Sequence, residues 1–134
     1  MQDSIFMRII KGEIPAYKIY EDDKTLAFLD IHPIQPGHTL VVPKLQVDQL
    51  WDLDPVYYQA VMETCRKVAF KMREALKPIR VGAQVEGIDI NHAHVHLIPF
   101  RTPAEFHNIP DMNNPARAED LAAMAKKLTL TKST

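Results

Sequence analysis

The chain has 134 residues, 46% of them hydrophobic and 25% charged, a globular balance at the size of one domain that argues against disorder. A net charge of −1 excludes a global field strong enough to draw nucleic acid or an anionic membrane, so any bound phosphate must be held by local groups. The single cysteine, Cys65, excludes an internal disulfide framework, and the opening Met1-Gln2-Asp3-Ser4 lacks a basic region followed by an apolar run, so the expectation is a cytoplasmic chain with no membrane partner.

In chain order, Ser4 or Asp3 is placed to cap a short helix running through Ile10, with Gly12 just past its end and Pro15 stopping continuation. Tyr17 to Tyr20 and Leu26 to Asp30 read as strands around the polar turn Glu21-Asp22-Asp23-Lys24. Pro33, Pro36 and Gly37 form an ordered loop, followed by a β-branched strand from His38 to Pro43. Asp54 and Pro55 start a long helix, because Tyr57, Val61, Cys65, Val68, Met72 and Ala75/Leu76 recur at helical spacing until Pro78. Ile79 to Val85 and Ile90 to Ile98 read as two further strands. A proline-punctuated segment from Pro99 to Pro115 then leads into a last helix over about 117–128. Short turns between strands and segregated helices predict an α+β domain with an antiparallel sheet.

The segment Asn91-His92-Ala93-His94-Val95-His96-Leu97-Ile98-Pro99 holds three of the six histidines. In a strand, residues two apart share a face, so the three imidazoles would project together while Ala93, Val95 and Leu97 pack the other way. Three chemistries fit that pattern. Imidazoles can simply be solvated on an exposed sheet face. They can ligate zinc, although the sequence supplies neither a cysteine pair nor an HExxH motif for the remaining ligands. Or a neutral ring nitrogen can attack an electrophilic phosphorus, with His94 in the middle as nucleophile and His92 and His96 beside it as hydrogen-bond donors. Spacing alone does not choose among them.

His92-Ala93-His94-Val95-His96-Leu97-Ile98 resembles the signature of the histidine triad (HIT) family. Ser4 to Ala16, Tyr20 to Asp23, Leu26 to Ile31 and Pro36 to Lys44 resemble, in order, the opening blocks of its nucleotide-binding branch. The resemblance covers about residues 4–100 and makes 1–134 a single HIT domain with a C-terminal extension. It implies a five-stranded antiparallel sheet with one long and two shorter helices, the sheets of two chains joining in a homodimer. It also implies hydrolysis or transfer at the α-phosphorus of a purine nucleotide, with no cofactor, through a nucleotidyl-histidine intermediate on His94. His38 matches the upstream histidine that supports the triad, and Asp30 the carboxylate that holds the ribose hydroxyls. Phe6, Ile9, Ile14, Phe28, Leu29 and Ile31 match positions lining the base pocket, and Gln84 stands for a family asparagine near ribose and phosphate.

Three departures bear on the leaving group. The segment from Val85 to Asn91 lacks the family's glutamine, Asp89 stands where the branch carries a phosphate-contacting serine, and Phe100 replaces an arginine, with Arg101 one step on. The Cys-x-x-Cys that holds zinc in some relatives is absent from the sequence. The resemblance points to nucleoside phosphoramidates or related mononucleotide conjugates. A nucleotide-binding or scaffold protein with incidental hydrolysis, or a dinucleoside polyphosphate hydrolase, are the alternatives.

Overall fold

Local signals set each element. In the computed structural model, which describes residues 2–131, the Ser4 side chain accepts a hydrogen bond from Met7 N and caps helix α1, Ile5–Ile10. Strands β1, Lys18–Glu21, and β2, Thr25–Leu29, meet at a turn organised by Asp22, whose carboxylate accepts the backbone N–H of Lys24 and of Thr25 at 2.9 and 2.8 Å. Strand β3 is Thr39–Pro43. Helix α2, Pro55–Leu76, starts as its sequence dictates: Asp54 accepts from Tyr57 N, and Pro55 occupies the first turn, where its missing N–H costs nothing. It ends at Lys77, φ 50°, one residue before Pro78. Strands β4, Arg80–Gln84, and β5, Val95–Phe100, are followed by a one-turn helix α3, Pro103–Phe106, and by α4, Ala118–Leu128.

All neighbouring strands are antiparallel, in the order β1-β2-β3-β5-β4. The α+β fold with a five-stranded antiparallel sheet is therefore as expected. β2 and β3 are buried at every position because helices cover both faces, which is why they read as continuous apolar runs. On one face Ala27, Val41, Val95 and Leu97 pack against Val61, Cys65, Val68 and Met72 of α2 and Leu121 and Leu128 of α4. On the other, Leu26, Phe28, Leu40 and Val42 pack against Phe6 and Ile9 of α1. Among the described residues no helix is long and apolar enough to cross a membrane.

One expected strand is shorter than its sequence suggests. The run from Ile90 to Ile98 enters the sheet only at Val95, which pairs with Val41 at the end of the β3–β5 ladder. Just before that point the backbone groups are claimed elsewhere. Ala93 N donates to the Val47 carbonyl at 2.7 Å, and the Pro43 carbonyl is taken by the His92 ring at 2.8 Å. A three-residue 3-10 turn at Leu50–Asp52 and helix α3 are additions that no periodicity announced, since neither is long enough to show one.

Candidate active site

The α1 face of the sheet carries the histidines. His96 pairs across β5 with Leu40 on one side and Gln84 on the other, so all three side chains share that face. His92 and His94 precede the ladder yet keep the same side, because Ala93, Val95 and Leu97 remain anchored in the opposite core. The shared orientation therefore survives the loss of strand pairing. His38, at the entrance to β3, joins them: its Nε2 lies 2.9 Å from His96 Nδ1.

Hydrogen-bond partners settle which ring nitrogens carry protons. Ile34 N–H donates to His38 Nδ1 at 3.2 Å, so neutral His38 bears its proton on Nε2 and donates it to His96 Nδ1. His96 is left with a proton on Nε2. His94 Nδ1 faces the His92 carbonyl at 2.8 Å, which can only accept, so the His94 proton is on Nδ1 and its Nε2 carries a free lone pair. His92 Nε2 donates to the Pro43 carbonyl at 2.8 Å, and its Nδ1 accepts from Ser4 Oγ at 2.7 Å. The arrangement offers one nucleophilic nitrogen, on His94, beside one N–H donor, on His96, with the two rings 5.0 Å apart.

Electrostatics keep the supporting rings neutral. Burial pushes His96 down to about 4, with His38 and His94 acting in the same direction and Asp30 against it. Burial likewise lowers His38, opposed by Asp30, and His92, opposed by its bond to the Pro43 carbonyl. Asp30 Oδ1 accepts His32 N–H at 2.8 Å, while Oδ2 stands 3.6 Å from His38 Nε2.

A cavity of about 390 Å³ opens above these groups, lined by Phe6, Ile9, Ile14, Phe28, Leu29, Asp30 and Ile31, with His94 and His96 at one end. All six apolar positions expected at a base pocket thus line one space, which His94 and His96 also line. A contiguous cavity of about 210 Å³ shares Asp30, His94 and His96 and is walled by Glu86, Gly87, Ile88, Asp89 and Met112. Asp89 belongs to this second space. Gln84 lines neither cavity; it is exposed on β4 directly across from His96.

Several participants were not legible as such. Ser4 announced itself as a cap, and nothing local points to a partner 88 positions away. Gly87 has φ +71°, and a Cβ there would lie 2.7 Å from His94 Cε1, so only glycine lets the loop close on the His94 ring. His32, just past Asp30, and Met112, in the proline-punctuated segment, both line the cavities.

Asp30, His38 and His96 each offer one ligand atom within 4.8 Å of the others. Their spacing approaches the roughly 3.3 Å edge of a tetrahedral zinc site. The proton assignment does not fit a metal, however. Ile34 N–H holds His38 Nδ1 as an acceptor, so His38 Nε2 has no lone pair to give, leaving one carboxylate and one imidazole. Within the set His38 Nε2–H donates to His96 Nδ1 at 2.9 Å, and Asp30 Oδ2 stands beside that bond, 3.6 Å from His38 Nε2.

Comparison with known proteins adds an independent line. The HIT domain family model matches residues 11–103. Adenosine 5'-monophosphoramidase HNT1 of Candida albicans is 30% identical over 131 residues, covering 91% of this chain and 84% of its own. Among solved structures, a Hit-like protein from Bartonella henselae aligns with a TM-score of 0.80 at 31% identity over 94% of each chain. A Zn-bound histidine triad family protein from Mycobacterium smegmatis aligns with a TM-score of 0.74 at 29% identity, over 92% of this chain and 94% of its own.

Proposed function

This chain belongs to the HIT domain family, and from that premise we propose that it hydrolyses purine nucleoside phosphoramidates, or related mononucleotide conjugates, at the α-phosphorus. The observation that carries the reading is the proton pattern of the histidines, which leaves a lone pair on His94 Nε2 and an N–H on His96 Nε2 at the end of an apolar cavity. The base lies among Phe6, Ile9, Ile14 and Phe28. Asp30, an acceptor-only carboxylate, holds the ribose hydroxyls. His94 Nε2 forms a bond to phosphorus while the bond from phosphorus to the leaving nitrogen breaks, and the departing amine takes up one proton from solvent. His96 Nε2–H donates to the phosphoryl oxygen where negative charge gathers. Water then attacks phosphorus, releases the nucleoside monophosphate, gives up one proton and restores neutral His94.

The phosphoramidase name of the Candida albicans relative supports this substrate class. So does the second cavity, where Glu86 and Asp89 would repel a polyphosphate leaving group but tolerate an amine. Gln84 stands across from His96 in the sheet, and the same reading gives it the phosphate edge. The reading also carries a homodimer, with two five-stranded sheets joined edge to edge.

The test is acid quenching within the first turnover of an adenosine phosphoramidate, followed by intact mass. Wild type should gain one nucleoside monophosphate, and His94→Ala should show neither adduct nor turnover while still binding the monophosphate. Full activity in His94→Ala would sink the mechanism. Binding by wild type without turnover would make the protein a nucleotide-binding module instead.

A further inference from the structure

We propose that Ser4 is a positioning residue for the nucleophile: its hydroxyl fixes His92, and the His92 carbonyl in turn holds His94 with its Nε2 lone pair free. The proposal rests on the hydrolase reading above and extends it to a residue in α1, far from the triad in sequence.

A hydroxyl has one proton to give and two lone pairs. Met7 N–H occupies a lone pair of Ser4 Oγ at 2.9 Å, which is all that helix capping requires. The proton is a separate resource, and it goes to His92 Nδ1 at 2.7 Å. That direction is forced, because His92 Nε2 must carry the ring's own proton to meet the Pro43 carbonyl. Ser4 is 6% exposed and His92 0% exposed, so water cannot replace the contact. The His92 ring is thus pinned at both ends, and with it the backbone whose carbonyl accepts from His94 Nδ1. Release that carbonyl and His94 is free to place its proton on Nε2, where it can no longer attack. Two residues beyond Ser4, Phe6 meets the His94 ring edge-on at 4.9 Å and also lines the base cavity. One short helix therefore seats the base and aligns the attacking ring, with Ser4 as the joint.

Capping and positioning separate cleanly by substitution, because glycine is a good N-cap without a hydroxyl and threonine keeps both the cap and the proton. Ser4→Gly and Ser4→Thr would be assayed for kcat and KM with an adenosine phosphoramidate, and the ring-nitrogen NMR shifts of His92 and His94 recorded on the same samples. In Ser4→Gly we expect unchanged folding, KM within about twofold, kcat lower by roughly 10- to 100-fold, and His94 moving from a single Nδ1–H tautomer to a mixture. Ser4→Thr should restore both the rate and the single tautomer. A Ser4→Gly enzyme with wild-type kcat and one His94 tautomer would overturn the proposal, as would a loss confined to KM or to folding. If wild type proves inactive on every phosphoramidate, the hydrolase reading fails on its own, while the His94 tautomer in Ser4→Gly still decides this one: a mixture upholds it and an unchanged ring overturns it.

Discussion

His96 makes the site sensitive to acid in a way that can be signed. An imidazole of the unfolded chain titrates near 6.5, and burial holds this one at about 4. Between those values the unfolded chain binds the extra proton and the folded chain does not, so stability rises with pH across that window and falls as pH drops from about 6.5 toward 4. His38 and His92, lowered by burial, add to the same trend. Thermal unfolding followed from pH 7.5 to 4 should show the melting temperature declining as acid is added. A melting temperature that stays constant from pH 7.5 to 4 would mean that these rings are not held neutral. At this scale the sequence was legible where chemistry repeats at a fixed interval. The alternation from His92 to His96 pointed to a shared face, and they share it. Gly87 and the Ser4–His92 bond were illegible because each depends on the approach of a segment that sequence spacing does not encode.

Elements tell a similar story through their ends. Asp22 terminates β1 and starts β2 by accepting from Tyr20 OH, Lys24 N, Thr25 N and Thr25 Oγ1. Thr25 Oγ1 continues to Thr64 Oγ1 at 2.7 Å, which ties the turn to α2. Burial works to raise the Asp22 carboxyl, and the hydrogen bonds it accepts outweigh that, holding it below the usual 3.8. Its contribution is thus present above that pH and is lost as the carboxyl protonates below it. Asp22→Ala should cost about 2 kcal/mol in urea unfolding at neutral pH. Turnover per folded molecule should hardly change, because the turn lies at the opposite end of β2 from Asp30. A stability change of only a few tenths would show that water replaces the carboxylate. Capping residues, proline stops and the α2 stripe made most boundaries readable. The start of β5 was not, because a β-rich run says nothing about which partner its carbonyls and N–H groups will find.

For the whole molecule, the two edges of the sheet differ, and the difference bears on assembly. β1 is partly closed: beyond α4, Leu130 N donates to the Ile19 carbonyl at 2.8 Å, and Lys18 and Glu21 place charge along the strand. β4 is the other edge strand, with no strand paired on its outer side among the described residues, and Ile79 and Val85, which flank it, are 59% and 43% exposed. An open strand edge with apolar flanks is a template for pairing. The exposed Phe70 of α2 is less in need of a partner, since the guanidinium carbons of Arg66 and Arg73 sit 5.3 and 5.6 Å from its ring centroid. Pairing of β4 with its copy would create one ten-stranded sheet and place each triad a single strand from the joint, because β5 is β4's inner neighbour. The Val85–Ile90 loop that closes on His94 through Gly87 would then start at the interface. Sedimentation equilibrium should return twice the 15.3 kDa chain mass. A charge at the edge, as in Val85→Glu, should shift that mass toward one chain and slow turnover with it by loosening the loop. A wild-type chain that sediments as a monomer and is fully active would show that the open edge is only an edge and that each triad works alone.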